Sequence, residues 1–187
     1  MTLLSDLKIL EEIENGNILI EPFFRECLGS NSYDVHLKDV VGLYEEPVLD
    51  AKKENKINLF KIPKEGMVLQ PRKFYLCSTI EYTETRNFVP FLEGKSSTGR
   101  LGISVHETAG KGDAGFRGHW TLEVSVNLPV RVYAGIPIGQ LIYFDLNGKV
   151  LISYDKKRTA KYSYQGSEPV GSKMWKNFGR DPLWTKN

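Results

Sequence analysis

The sequence predicts an all-β sandwich or barrel entered through one short helix. Three observations carry that reading. Helical periodicity is confined to the stretch before Asn15-Gly16. Short apolar or alternating runs then follow one another. Gly, Pro, Asn and Asp separate those runs at close intervals, the pattern of many short strands joined by turns. The chain has 187 residues and contains no internal repeat. That length suits one domain able to bury a core without staples.

The elements follow in order. Ser5 can accept hydrogen bonds from the first turn of a helix and Asp6 suits its positive end. Leu7, Leu10 and Ile13 then recur at helical spacing, and Asn15-Gly16 supplies the stop. The runs NILIEPF, SYDVHL, VVGLYE, MVLQ, FYLCSTIEY, WTLEVSV, VRVYA, IGQLIYFDL and KVLISY read as strands. Lys64-Glu65-Gly66 and Asn147-Gly148 read as turns. In WTLEVSV, alternation puts Trp120, Leu122, Val124 and Val126 on one face and Thr121, Glu123 and Ser125 on the other. From Tyr154 onward the composition turns polar, cationic and aromatic, too poor in aliphatic residues for a core of its own. Residues 1–153 are thus expected to form the barrel with its helix. Residues 154–187 are expected to form an extended arm that orders against the body, a partner subunit or a ligand.

Composition bounds the function. The formal net charge is +2, which argues against a general nucleic-acid binder but leaves room for a small anionic ligand held by a local cluster. No apolar run approaches the ~20 residues that cross a bilayer. The acidic, amphipathic start lacks the cationic opening of a secretion signal, so a cytoplasmic protein is expected. Cys27 and Cys77 are far apart and are expected as reduced thiols.

The chemistry is concentrated between Gly94 and Gly118. In Lys95-Ser96-Ser97-x-x-Arg100, flanking glycines, hydroxyls and cations suit an anion; a solvated polar loop fits the same letters. The pattern is no P-loop, since the lysine precedes the serines. No G-x-S-x-G elbow occurs. The histidines, His36, His106 and His119, lack both the H-x-E…P-C-x-x-C and the H-E-x-x-H spacing of zinc enzymes, so no zinc is expected. Glu123 is an ordinary exposed carboxylate if its face meets water, or a candidate general base if that face lines a cleft.

EGKSSTGRLG, HETAGKGDAGFRGHWTLEV, GIPIGQLIYF and AKYSYQG, in that order, resemble the dCTP deaminase family, which shares the fold of the trimeric dUTPases. The resemblance spans nearly the whole chain. It implies a distorted jelly-roll or β-barrel of the dUTPase-like type with an N-terminal helix and a C-terminal arm. It implies a homotrimer with sites at subunit interfaces, and zinc-independent deamination of dCTP. From charge and hydropathy, no nucleic-acid or membrane partner is expected. Magnesium would be held through the triphosphate rather than by protein ligands.

The family's residues carry over as follows. Glu123 matches the catalytic glutamate. The Ala109 carbonyl matches a group that orients the attacking water. Ser96 and Arg100 match residues that position water and base and stabilise the addition intermediate. Lys95, Ser96 and Ser97 lie where the family contacts phosphates, and Tyr154, Lys161 and Gln165 match triphosphate contacts in the tail.

The segment after Thr108-Ala109 departs from the family. Deaminases that release dUTP often have His-Arg there, where this chain has Gly110-Lys111. Members that also cleave the triphosphate, and the dUTPases, have Ala-Gly and then an apolar pair before Asp. This chain keeps Ala-Gly and Asp113 but has Lys111-Gly112 between them. Lys111 can replace the arginine as a cation, though not as a bidentate donor. Asp113 stands where a carboxylate would activate a second water at the α-phosphate. Gly110 leaves the space of a bulkier histidine, which favours that second reaction. Lys111 beside Asp113 and the freedom of Gly112 weigh against it. The balance favours dUTP as product. The alternatives are a bifunctional enzyme giving dUMP and pyrophosphate, a dUTPase, or a non-catalytic nucleotide-binding regulator on the same fold.

Overall fold

A computed structural model describes residues 2–178. The helix α1 runs Asp6–Glu14, with the Ser5 hydroxyl accepting from the Lys8 N–H at 3.3 Å. Gly16 follows at φ +69°, a left-handed stop that glycine adopts without strain. Its buried face differs from the expected one. Ile9 and Glu12 are buried, while Leu7 is 73% exposed. The Glu12 carboxylate meets Lys8 Nζ at 2.8 Å and Asn17 Nδ2 at 2.7 Å, which satisfies it where it lies.

The strands are β1 (Ile18–Glu21), β2 (Tyr33–Tyr44), β3 (Ile57–Lys61), β4 (Met67–Leu69), β5 (Tyr75–Thr85), β6 (Phe88–Gly94), β7 (Ile103–Ser104), β8 (Arg117–Val126), β9 (Val130–Val132) and β10 (Pro137–Asp145). Eight of them form one antiparallel sheet that curls into a distorted barrel, in the order β6-β10-β2-β5-β8-β7, with β1 on β5 and β3 on β2. A separate ribbon pairs β4 with β9. Tyr33, Val35, Leu37, Leu122, Ile138, Leu141 and Tyr143 fill the interior and are almost wholly buried.

Several expectations change. SYDVHL and VVGLY are one twelve-residue strand, β2, bent by a register shift between Leu37 and Val41. INLFK and FVPFLEG are strands that the pattern did not announce. KVLISY is no strand: Val150, Leu151 and Ile152 stay exposed beyond β10. The SSTGR segment, read as a loop, is a short helix, α2 (Ser96–Arg100), closed by the Thr98 hydroxyl against the Lys95 backbone.

From Tyr154 to Phe178 the only regular pieces are two single turns of tight helix, Tyr154–Lys156 and Met174–Asn177. This segment packs back on its own barrel. Tyr164 N–H donates to Arg117 O at 2.6 Å, Gly118 and Gln165 form a parallel bridge, and Ser78 Oγ donates to Ser167 O at 2.7 Å. The end of the arm predicted for 154–187 lies outside the described residues.

Candidate active site

The arm and the barrel enclose a cavity of about 480 Å³. Its floor is the outward face of β8. Burial along β8 alternates strictly, with Trp120, Leu122, Val124 and Val126 inside. The opposite face turns Thr121 and Glu123 into the cavity, which answers the question that periodicity left open. Glu123 Oε2 accepts the Glu107 N–H at 3.1 Å, and the Glu123 N–H donates to Val105 O at 3.0 Å. The carboxylate is therefore aimed by backbone, leaving its other oxygen for a ligand.

One wall is the loop from Ala109 to Asp113. It is laced to β6: Leu92 N–H donates to Gly110 O at 2.7 Å, and Gly112 N–H donates to Pro90 O at 2.8 Å. This corrects two expectations. There is no vacant space at Gly110, because a Cβ there would lie 2.6 Å from Leu92 O and 2.8 Å from His106 Nε2. Gly112 does not loosen the turn either, because its Cβ would lie 2.7 Å from the Trp120 ring and 2.8 Å from Pro90. Both glycines mark close approaches of backbone to packed atoms, and they hold Asp113 on a fixed support. The cation weighed against Asp113 is present: Lys111 Nζ sits 2.7 Å from Asp113 Oδ1. Both side chains are about half exposed, where such a pair is worth little.

The roof is the arm. Tyr154, Tyr162, Gln165 and residues 170–172 line the cavity. Gln165 is spent on β8: its Oε1 accepts from Thr121 Oγ1 at 3.2 Å and its Nε2 donates to His119 O at 3.2 Å. The Tyr154 hydroxyl accepts the N–H groups of Lys161 at 3.2 Å and Tyr162 at 3.0 Å. The root of the arm is held by Arg117, whose guanidinium lies 3.4 Å from Glu84 and 3.5 Å from Asp155. Two residues before Thr121 on β8, burial holds the half-buried His119 imidazole below its usual pKa range, with Nδ1 3.2 Å from Thr79 O.

The fold thus brings Glu123, Ala109, Lys111, Asp113, Tyr154 and Gln165 to one cavity. Lys95, Ser96, Ser97 and Arg100 do not line it, and neither does Lys161. Lys95 forms an ion pair with Asp34 at the start of β2. Sequence reasoning missed Thr121 and Tyr162 and the apolar lining of Tyr44, Leu49, Phe74 and Leu76. Thr121 was within reach, since it shares the alternating face of Glu123. The apolar residues carry no such signal, because they come from distant strands and loops. Among the described residues, no three of His, Cys, Asp and Glu gather as a metal site, and no helix is long and apolar enough to cross a membrane.

Comparison with known proteins identifies the family. Residues 3–146 match the family model for dCTP deaminase-like proteins. A Clostridium acetobutylicum protein named "dCTP deaminase, dUMP-forming" is 47% identical over 172 residues, covering 91% of this chain and 96% of its own. A protein of the same name from Leptospira biflexa is 44% identical over 177 residues, covering 94% and 98%. Among solved structures, the dCTP deaminase of Agrobacterium tumefaciens superposes with a TM-score of 0.61 at 20% identity, over 75% of this chain and 47% of that one. At that identity the likeness is one of fold. With the family model covering most of the barrel and relatives this similar along nearly the full length, the chain belongs to the dCTP deaminase-like family.

Proposed function

We propose that this protein deaminates dCTP and then cleaves the triphosphate, releasing ammonia, dUMP and pyrophosphate in the cytoplasm. The observation that carries the reading is the pair of carboxylates, Glu123 and Asp113, set on separate rigid elements in one cavity under the arm. Water adds to C4 of the cytosine ring. Glu123 takes its proton and passes it to the amino group, which leaves as ammonia. The Ala109 carbonyl orients that water. Asp113 then takes a proton from a second water that attacks the α-phosphorus, and pyrophosphate departs. Lys111, released from its exposed pair, turns to the phosphates. Magnesium, carried by the triphosphate, neutralises phosphate charge.

The dUTP product favoured on sequence rested on the Lys111 cation beside Asp113 and on a loose turn at Gly112. The cation is present but half exposed, the pinned backbone removes the second objection, and the name "dUMP-forming" on relatives 44–47% identical supports the second reaction. Incubating the protein with dCTP and magnesium and separating the nucleotides should give dUMP with pyrophosphate in equal amounts. Accumulation of dUTP alone would reduce the proposal to simple deamination, and unchanged dCTP would end it.

Ser96, Ser97, Arg100 and Lys95 are proposed to reach this cavity from a second copy in a homotrimer, since they do not line the cavity of their own chain. Mixing inactive Glu123→Gln and Arg100→Ala subunits should then restore part of the activity, because some interfaces pair an intact Glu123 with an intact Arg100. No recovery in mixed trimers verified by mass would assign both residues to one chain.

A further inference from the structure

The arm is held shut by contacts that the proposed chemistry does not use. Lys173 lies beyond the residues matched to the triphosphate. Its Nζ donates to Lys161 O at 2.8 Å and stands 5.3 Å from the centroid of the Tyr162 ring. Its backbone N–H donates to the Tyr162 hydroxyl at 2.9 Å. The Lys161 main chain is therefore gripped from both sides, with its N–H on the Tyr154 hydroxyl and its carbonyl on the Lys173 ammonium. Tyr162 faces the cavity between these two grips. Burial, reinforced by the neighbouring Lys176, pulls the Lys173 ammonium below its usual pKa range.

We infer that Lys173 is a positioning residue, a clasp that fixes the backbone of Lys161 and the ring of Tyr162 so that the arm meets the triphosphate in a preset conformation. The inference rests on the nucleotide site proposed above. The clasp closes an eleven-residue excursion of the arm, from Tyr162 to Lys173, through one charge-assisted hydrogen bond, one neutral one and one cation–π contact. Charge-assisted hydrogen bonds are the stronger kind, and pre-ordering a segment improves binding by removing the cost of ordering it when ligand arrives. The groups that transfer protons lie on β8 and on the Ala109–Asp113 loop, not on the arm. Loss of the clasp should therefore weaken binding and spare the chemical step.

The test uses the full chain. Lys173→Met keeps length and loses the donors and the charge; it should raise the KM for dCTP about tenfold with kcat within about twofold, the signature of lost uniform binding. Lys173→Arg, which keeps a cation and donors, should recover most of that loss. Lys176→Met removes a neighbouring arm cation that stands 5.3 Å from the Trp175 ring centroid; it should leave KM unchanged, separating the clasp from general charge. Amide hydrogen exchange in nucleotide-free protein should quicken over residues 160–173 in Lys173→Met and stay constant in β8. Unchanged exchange in that segment overturns the clasp whatever the enzyme does. So does an unchanged KM, or an equal rise in Lys176→Met. Absence of dCTP turnover in the unmodified protein would instead overturn the function, with exchange still reporting on the clasp.

Discussion

Replacing Glu123 with glutamine should lower dCTP deamination at least ~10²-fold, the usual scale for losing a general acid–base group, while dCTP still binds. The substitution is nearly isosteric. The amide oxygen can still accept the Glu107 N–H that now holds Oε2 at 3.1 Å, so the side chain keeps its direction. What it loses is the capacity to take a proton from water. Because Asp113 sits on a different element, the same variant should still convert dUTP to dUMP and pyrophosphate. Single-turnover measurements with each nucleotide separate the two reactions. Near-normal ammonia release from dCTP would remove Glu123 from its role. A parallel loss of dUTP cleavage would mean that the two carboxylates do not divide the work.

Asp113→Asn should do the reverse. Deamination continues, pyrophosphate release falls ~10²-fold or more, and dUTP accumulates in place of dUMP. The support under Asp113 should survive, because it is made of backbone hydrogen bonds from Leu92 and Gly112 and of glycine packing against Trp120 and Pro90. The variant does leave Lys111 without its partner at 2.7 Å. That pair is exposed, so the cost to folding should stay within the ~0–1 kcal/mol of surface ion pairs; a thermal melt beside the assay checks this. Unaltered dUMP formation from dCTP in the folded variant would assign the second reaction to another group.

Much of the fold could be read from the chain because its signals are local. Ser5 and Gly16 bracket α1 through contacts within one turn of helix. The alternation of β8 is the stereochemistry of an extended chain, and it placed Thr121 and Glu123 on one face before any partner strand was known. The errors are equally particular. β3 is mostly exposed, with Leu59 and Phe60 both accessible although they lie on opposite faces, so its letters show no inside. β6 carries Pro90, which argues against a strand; the structure tolerates it because β6 is the edge of the ordered sheet and Pro90 contributes its carbonyl to Gly112. KVLISY has the apolar letters of a strand but pairs with no strand among the described residues. α2 is built on two serines and a glycine, poor helix formers whose turn is closed by Thr98 against Lys95.

The candidate site divides along the same line. The resemblance carried by the ordered motifs points to a nucleotide enzyme and offers Glu123 and Asp113 as candidates. Tertiary structure alone decides that the arm returns to its own barrel, through contacts such as Ser78 to Ser167 and Tyr44 to Ser172. It alone decides that Gly110 and Gly112 are close approaches rather than slack. A side chain's face follows from the dihedrals of its own strand. Which backbone comes within 3 Å of it depends on pairings across many intervening residues, and no local pattern in the chain encodes those.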